Sequence, residues 1–465
     1  MKKALAICCL LLITASFVFS GGRQGAGASD AHSATGPFDW RRYSGETIRV
    51  AMVTHNTTES MLSRIADFTN LTGIRVETSV TPETNYYDRL TASLASRRGD
   101  PDLFMAGPMV LWDYSGAGFV EDLTPYLQNS SLVAPDYDFD DILRSTVDAL
   151  KWDGIPGSAV GTGPQLALPL GCEVYSLAYN KRAFQQIGRQ PPRTLDELLE
   201  VAELLQGWNG PGSYGLATRG ILDWATIHPA YMSTFAMFGA RDFTIENDRL
   251  VSQVNSPESI RMNQFYVDLI RRGGPPNWAS YSWYDVQVDM GEGMAAMAFD
   301  ADNNPVMVNM PGSSPEAGNI AFTVMPVPRL GDTPRSNFWT WAIAMNAYSR
   351  NKGAAWMFLQ YVTSKEFLLY ASTTMNNLDP VRRSVWESQA FRDKMAHHEG
   401  YIETFLRTID HTTIIWTPQP MLVQTATEWT GTLQDMVAGR RPVQAALDDL
   451  KQRMDIIVRD ISARR

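Results

Sequence analysis

Aromatic side chains are the residues of this chain that are best suited to bind a ligand. The sequence holds 13 Trp and 17 Tyr, more than a packed core needs. Sugar rings have apolar faces that stack on aromatic rings, while their hydroxyl groups need polar partners. Packing in the core or on the surface remains an equal alternative for each aromatic residue. The candidates that fall on predicted loops or strand tips are Trp112, Trp224, Trp283, Tyr284 and Trp339.

Four further tryptophans lie inside regular hydrophobic patterns, so we predict that they pack in the core. These are Trp152, Trp341, Trp356 and Trp386.

Polar side chains near predicted strand ends could supply the hydrogen bonds that a sugar needs. Asp300 and Asp302 follow the end of a predicted strand, and Glu173 lies on a long apolar stretch. Arg382 follows a proline turn, and His55 lies in the loop after the first predicted strand. A solvated or helix-capping role is the alternative for each of them.

No catalytic motif accompanies these residues. The sequence has no nucleophile elbow, no phosphate-binding loop and no zinc-protease motif. The segment 300–311 begins like a calcium loop, but Pro305 and Pro311 replace the required Gly and Glu. We therefore predict a protein that is not an enzyme and binds no metal or cofactor. A secreted glycan-active enzyme remains an alternative, since paired carboxylates could be chosen almost anywhere among 50 acidic residues.

Length and charge narrow the class of protein. A chain of 465 residues is too long for one ordinary core and predicts two or three domains. The formal charge of -10 argues against nucleic acid as a partner, because phosphates demand a basic face.

The amino terminus predicts export. Lys2 and Lys3 precede an apolar stretch that is too short to span a membrane, which is typical of a signal peptide over residues 1–20. Residues 21–39 are rich in Gly, Ala and Ser and predict a flexible tether. Once the signal peptide is removed only Cys172 remains, so no intramolecular disulfide is expected.

The elements that position the candidates follow an α/β pattern. Strand and helix patterns alternate over residues 46–106, which predicts parallel strands with ligand sites beyond their carboxyl ends. Two predicted loops meet that condition, Thr54–Thr57 and Gly107–Asp113. The stretch Leu166–Lys181 is apolar and is interrupted by Pro169 and Gly171, so we predict two short strands that cross between lobes with a bend between them.

Several ordered motifs resemble those of the family 1 extracellular solute-binding proteins, the carbohydrate-loading subunits of ABC importers. The resemblance covers nearly the whole chain after the signal peptide. It rests on Tyr179–Lys181, Thr194–Leu198, Gly291–Asp300, Ala321–Pro328 and Thr363–Glu366.

The resemblance implies a two-lobed α/β fold of the periplasmic-binding-protein type II (Venus-flytrap) class, with discontinuous lobes joined by crossing strands near Leu166–Gly171 and Ala321–Pro328. We expect an N-terminal lobe of residues 40–168 and 327–372 and a C-terminal lobe of 169–326 and 373–465.

The resemblance also implies a function. We expect a sugar or oligosaccharide to bind in the cleft between the lobes and to be delivered to membrane-embedded ABC permease subunits. A non-sugar solute, such as a polyamine or a peptide, is the alternative ligand. Lipoprotein members of the family carry a cysteine at the first mature position, where this chain has Gly21. We therefore expect export to the periplasm or cell surface without a lipid anchor.

Overall fold

The computed structural model describes residues 33–464. The signal peptide predicted over 1–20 and the tether residues 21–32 lie outside this range. Residues 34–39, which we predicted to be part of a flexible tether, are hydrogen-bonded to the folded protein through carbonyl groups. Asn129 donates to the carbonyl of Ala34 at 2.9 Å, and Arg42 donates to that of Pro37 at 2.7 Å.

Ten strands form within the described residues. They are β1 Thr47–Val53, β2 Arg75–Thr81, β3 Leu103–Ala106, β4 Ala167–Asn180, β5 Tyr214–Ala217, β6 Phe243–Glu246, β7 Arg249–Ser252, β8 Ala295–Ala301, β9 Ile320–Thr323 and β10 Phe338–Met345.

The same range contains nineteen α-helices, none of them long and apolar enough to cross a bilayer. They are α1 Asn56–Ser63, α2 Ile65–Thr72, α3 Glu83–Ala95, α4 Pro108–Gly116, α5 Thr124–Gln128, α6 Arg144–Ala149, α7 Lys181–Ile187, α8 Leu195–Leu204, α9 Ala230–Met237, α10 Pro257–Gly273, α11 Trp283–Gly291, α12 Asn303–Asn309, α13 Lys352–Val362, α14 Lys365–Thr373, α15 Arg383–Glu387, α16 Gln389–Met395, α17 Tyr401–Ile409, α18 Leu422–Val437 and α19 Val443–Val458.

Eight of the strands form one sheet in the order β2-β1-β3-β10-β4-β8-β5, with β9 also paired to β4. The strands β1, β2 and β3 run parallel, whereas β10 is antiparallel to both β3 and β4. The first half of β4 pairs with β10, and its second half pairs with β8 and β9. One strand therefore belongs to both halves of the sheet, as the predicted two-lobed fold requires.

The linking strand β4 differs from our prediction of two pieces with a bend. It is one continuous strand of 14 residues, and Pro169 lies beside a β-bulge. Gly171 pairs with Trp341 while Pro169 pairs with Ala342, the next residue of β10, so that Leu170 is an extra residue in β4. A bulge accepts proline because the ladder is already interrupted there.

The return to the first lobe also comes later in the chain than Ala321–Pro328. Residues 320–323 form β9, which pairs only with the far half of β4. The strand that leads back is β10, since it pairs with β3 over Ala342–Met345.

Candidate functional site

A cavity of about 330 Å³ lies where the β4–β10 pair meets the carboxyl ends of β1, β5 and β8. Residues after β1 form one wall, and residues after β5 and β8 form the opposite wall. This is the position that the carboxyl-end rule assigns to ligand sites in α/β sheets.

The floor of the cavity is built from four residues on neighbouring strands. Trp339 and Trp341 alternate along β10 and therefore point to the same face of the sheet. Their partners across the ladder are Glu173 and Gly171 of β4. The indole nitrogen of Trp341 donates to Glu173 Oε1 at 3.3 Å. Trp341 is buried in the core, as predicted, and it also lines the cavity.

An aromatic cluster surrounds Trp339, whose side chain is only 5% exposed. The centroid of its ring lies 5.3 Å from that of Trp341 and 5.6 Å from that of Trp224. His55 lies 5.0 Å from Trp341 on the opposite side. The indole nitrogen of Trp339 is buried and has no hydrogen-bond partner among the described residues, so the cluster offers both an apolar surface and an unused donor.

Two histidines of the cavity are uncharged near neutral pH. His55 precedes α1 and accepts a hydrogen bond from the Thr57 amide at 3.2 Å, and burial lowers its pKa to about 4. Burial and the charge of Arg219 lower the pKa of His228 to about 3. The indole nitrogen of Trp416 donates to His228 Nδ1 at 2.8 Å, which leaves Nε2 to donate to the Phe338 carbonyl at 3.2 Å.

Arg219 is the one cationic side chain that lines the cavity within residues 33–464. It follows β5, and its Nε and Nη2 donate to Asp300 Oδ1 at 3.0 and 2.7 Å. Asp300 lies behind Arg219 and does not line the cavity. We predicted that Asp300 contacts the ligand; the structure instead gives its carboxylate the role of partner to a buried arginine.

Helix α12 brings two amides to the cavity, and neither uses all of its polar atoms. Asn303 Oδ1 and Asn304 Nδ2 are buried with no partner among the described residues, and both residues line the cavity. A neighbouring loop is tied to the floor, because Asn377 Nδ2 donates to the carbonyl of Leu170 at 3.0 Å.

Two carboxyl groups border the cavity with pKa values close to neutrality. Burial raises the pKa of Glu173 to about 7, against the opposing effect of Arg219. Burial also raises the pKa of Asp379 to about 7, although hydrogen bonds from Tyr401 and Asp302 lower it. Asp302 itself does not line the cavity, so its predicted ligand contact is indirect at most.

The two remaining candidates lie away from the cavity. Trp112 is buried in α4, where we predicted a loop; Pro108 is the first residue of this helix, a position that proline favours. Arg382 is fully buried and donates to the carbonyls of Thr363, Asp138 and Tyr137 at 2.8, 2.8 and 2.9 Å. Its guanidinium group holds backbone segments together and does not reach the cavity.

Trp283 and Tyr284 lie at the rim of the cavity, at the start of α11. They are 42% and 59% exposed. Of the predicted candidates, six line the cavity: His55, Glu173, Trp224, Trp283, Tyr284 and Trp339.

Sequence reasoning missed Arg219, His228, Asn303, Asn304 and Asp379. Arg219 closely follows the strand β5, and the carboxyl-end rule applies to that strand as well. No comparable signal marks His228 or Asp379.

A glycine beneath the aromatic cluster offers a test that removes no lining residue. A Cβ atom at Gly107 would overlap Cη2 and Cζ2 of Trp339, so Gly107→Ala should push that ring toward the cavity. Overpacking of this kind costs about 1–3 kcal/mol, and we expect ligand affinity to fall about tenfold in calorimetry. Gly116→Ala is the matched control. Gly107 precedes α4 and Gly116 is its last residue, and a Cβ at Gly116 would meet its nearest neighbour at an ordinary 3.7 Å. Equal affinities of the two variants would contradict the prediction.

Comparisons with known proteins agree with this geometry. A family model described as bacterial extracellular solute-binding protein matches residues 54–367. The chain is 38% identical over 420 residues to the erythritol/L-threitol-binding protein of Mycolicibacterium smegmatis, covering 90% of this chain and 87% of that protein. It is 30% identical over 357 residues to the mannitol-binding protein of Pseudomonas aeruginosa, covering 74% and 76%. An ABC transporter solute-binding protein of Agrobacterium radiobacter in complex with ribitol shares the fold, with a TM-score of 0.75 and 23% identity over 90% of this chain and 99% of that one.

Proposed function

We propose that this chain, which belongs to the bacterial extracellular solute-binding protein family, captures a small linear polyol in the cavity over Trp339 and Trp341. It is a binding protein and not an enzyme, and its family confirms the resemblance seen in the sequence. We also propose that the protein delivers the polyol to membrane-embedded ABC permease subunits.

One observation carries the choice of a polyol. Three hydrogen-bonding atoms without a partner among the described residues lie beside an aromatic surface: the Trp339 indole nitrogen, Asn303 Oδ1 and Asn304 Nδ2. Both donors and an acceptor are present, and each hydroxyl group of a polyol is both a donor and an acceptor. A buried polar atom left without a partner costs free energy, so a ligand that satisfies these three atoms is favoured over an apolar one.

The size of the cavity favours a small ligand over an oligosaccharide. Ligand pockets span about 300–1,000 Å³, and this cavity of about 330 Å³ lies at the lower end. The relatives named for erythritol, L-threitol and mannitol support the same size range, so we favour a polyol between erythritol and mannitol in length.

A polyamine is the second candidate, because four carboxylates line the cavity: Glu59, Glu83, Glu173 and Asp379. A polyamine would pair with such carboxylates but would make little use of the donors Trp339 and Asn304. The aromatic floor therefore favours the polyol.

Calorimetry on the purified mature protein tests the proposed ligand class. We expect erythritol, ribitol or mannitol to bind at least about tenfold more tightly than maltose or spermidine, since each unsatisfied buried polar group in the cavity costs about 1–3 kcal/mol. Tighter binding of maltose would show that the ligand is an oligosaccharide. Tighter binding of spermidine would favour the second candidate.

The lobe boundaries and the cellular location belong to the same proposal. We infer two lobes near the predicted ranges, 40–168 with 327–372 and 169–326 with 373–465, except that the chain returns to the first lobe in β10. The division of β4 between two sets of partners supports two lobes. We also infer export to the periplasm or cell surface without a lipid at Gly21. A palmitate label on the native protein would contradict the absence of a lipid.

A further inference from the structure

A pair of buried carboxyl groups lies beside the cavity, at Asp302 and Asp379. Both residues are about 2% exposed or less. Neither oxygen of Asp302 receives a hydrogen bond from a donor group within residues 33–464, and Oδ2 of Asp379 lacks one as well. The other oxygen of Asp379 accepts a hydrogen bond from the Tyr401 hydroxyl. The polar group that interacts with the Asp302 carboxyl is the carboxyl of Asp379.

The backbone holds the two carboxyl groups against each other. The amide of Asp302 donates to the carbonyl of Val174 at 3.0 Å, and the amide of Cys172 donates to the carbonyl of Asp379 at 3.0 Å. Both anchors lie on β4, two residues apart. Because that strand fixes both backbones, the two chain segments cannot move apart when the carboxyl groups carry like charges.

We propose that Asp302 and Asp379 share one proton, that Asp302 donates it and thereby holds Asp379 as an acceptor facing the cavity, and that polyol binding depends on this proton. Asp379 contacts the ligand, whereas Asp302 acts through Asp379 and is a positioning residue. The proposal rests on the proposed function, since it concerns the affinity of the same cavity.

The chemistry of the pair supports this assignment. Two carboxylates in contact cannot both ionise cheaply, so one proton is retained between them. Burial and the neighbouring Asp379 raise the pKa of Asp302 well above its usual range, while the hydrogen bond from Asp302 helps to lower that of Asp379. The Tyr401 hydroxyl already donates to Asp379, whereas no donor among the described residues reaches Asp302, so we place the proton on Asp302.

Other titratable groups face the pair, and their effects on affinity must be distinguished from those of Asp302 and Asp379. They are Cys172, Glu173 and Tyr175 of β4 and Tyr401 of α17. Burial raises the pKa values of Cys172, Tyr175 and Tyr401 well above their usual values, so these three are protonated at neutral pH. Burial raises the pKa of Glu173 to about 7. Its ionisation therefore affects the affinity only on the acid side of the pH profile.

These assignments predict affinity that is highest at intermediate pH. As pH rises through the pKa of Asp379, the carboxylate that accepts ligand hydroxyls forms and affinity increases. As pH rises further, Asp302 loses its proton, the two charges repel and affinity falls. By linkage, binding releases protons on the acid limb and takes them up on the alkaline limb.

The test is calorimetry with erythritol from roughly pH 6 to 10 on the wild type and three variants. Wild-type affinity should fall about tenfold on the alkaline limb, as expected for the loss of one hydrogen bond to a charged group. The Asp302→Asn variant keeps a hydrogen-bond donor that cannot ionise, so its affinity should not fall at alkaline pH. Asp302→Ala should bind about tenfold more weakly at every pH. Asp113→Asn is the matched control, and its affinity should still fall at alkaline pH. Asp113 is a half-buried carboxyl whose pKa burial raises to about 8, and it does not line the cavity.

An alkaline limb that persists in Asp302→Asn would overturn the proposal, as would a wild-type affinity independent of pH. Wild-type titrations in two buffers with different heats of ionisation give a readout that needs no variant. Proton uptake on binding at alkaline pH is expected, and its absence would also overturn the proposal. If erythritol, ribitol and mannitol all fail to bind at any pH, the proposed function has failed instead, so the two failures are distinguishable.

Discussion

Replacing Arg219 by methionine should lower the free energy of unfolding by about 3–5 kcal/mol at neutral pH, because it leaves a buried carboxylate without its cation. The side chain of Arg219 is 11% exposed and that of Asp300 is fully buried. Apart from the guanidinium group, the backbone amide of Ala301 donates to Asp300 at 2.7 Å, and this bond does not neutralise the charge. Urea unfolding followed by far-UV circular dichroism measures the loss.

The double variant Arg219→Met with Asp300→Asn is the control for this effect. It removes both charges, so most of the lost stability should return, as a double-mutant cycle requires for interacting groups. A single Arg219→Met variant within about 1 kcal/mol of the wild type would contradict the view that this ion pair is buried and costly to break.

Replacing Trp339 by alanine should weaken polyol binding by about 2 kcal/mol or more, which corresponds to roughly thirtyfold in affinity. Its ring contacts those of Trp341 and Trp224 in the cluster at the floor of the cavity, and its indole nitrogen is free to donate to a hydroxyl group. Calorimetry on the folded variant gives the affinity, and thermal unfolding gives the stability.

Trp356→Ala is the matched control for Trp339→Ala. Trp356 is fully buried in α13, where its indole nitrogen donates to the carbonyl of Leu132 at 2.8 Å, and it does not line the cavity. We expect the Trp356→Ala substitution to lower the melting temperature with little change in the affinity for the polyol. If Trp339→Ala behaves in the same way, Trp339 is a core residue and its proposed role in binding is wrong.

The sequence predicts the fold because its motifs are local. The capping box of Thr194 and Glu197 marks the start of α8, and the structure forms it. Strand alternation after residue 46 locates β1, and its end places His55 at the cavity. Each of these signals is contained in a short stretch of chain, so it can be interpreted before any long-range contact is known.

The site is harder to predict because its geometry depends on strand register and on distant loops. Trp341 lies on the same face of β10 as Trp339, next to the bulge in β4. Because all eight residues of β10 are buried, no periodicity within the strand shows which face lines the cavity. Asp379 reaches the site through a backbone hydrogen bond from Cys172, more than 200 residues earlier in the chain. Trp112 was misassigned for a different reason, since Pro108 was interpreted as a loop residue and in fact begins a helix.

A crystal structure of the mature protein with erythritol tests the central claim most directly. We expect the carbon chain of the polyol to lie over Trp339 and Trp341, with hydroxyl groups within hydrogen-bonding distance of Asn303, Asn304 and Asp379. Erythritol bound elsewhere on the protein, with no polyol density over Trp339 at a saturating concentration, would contradict it.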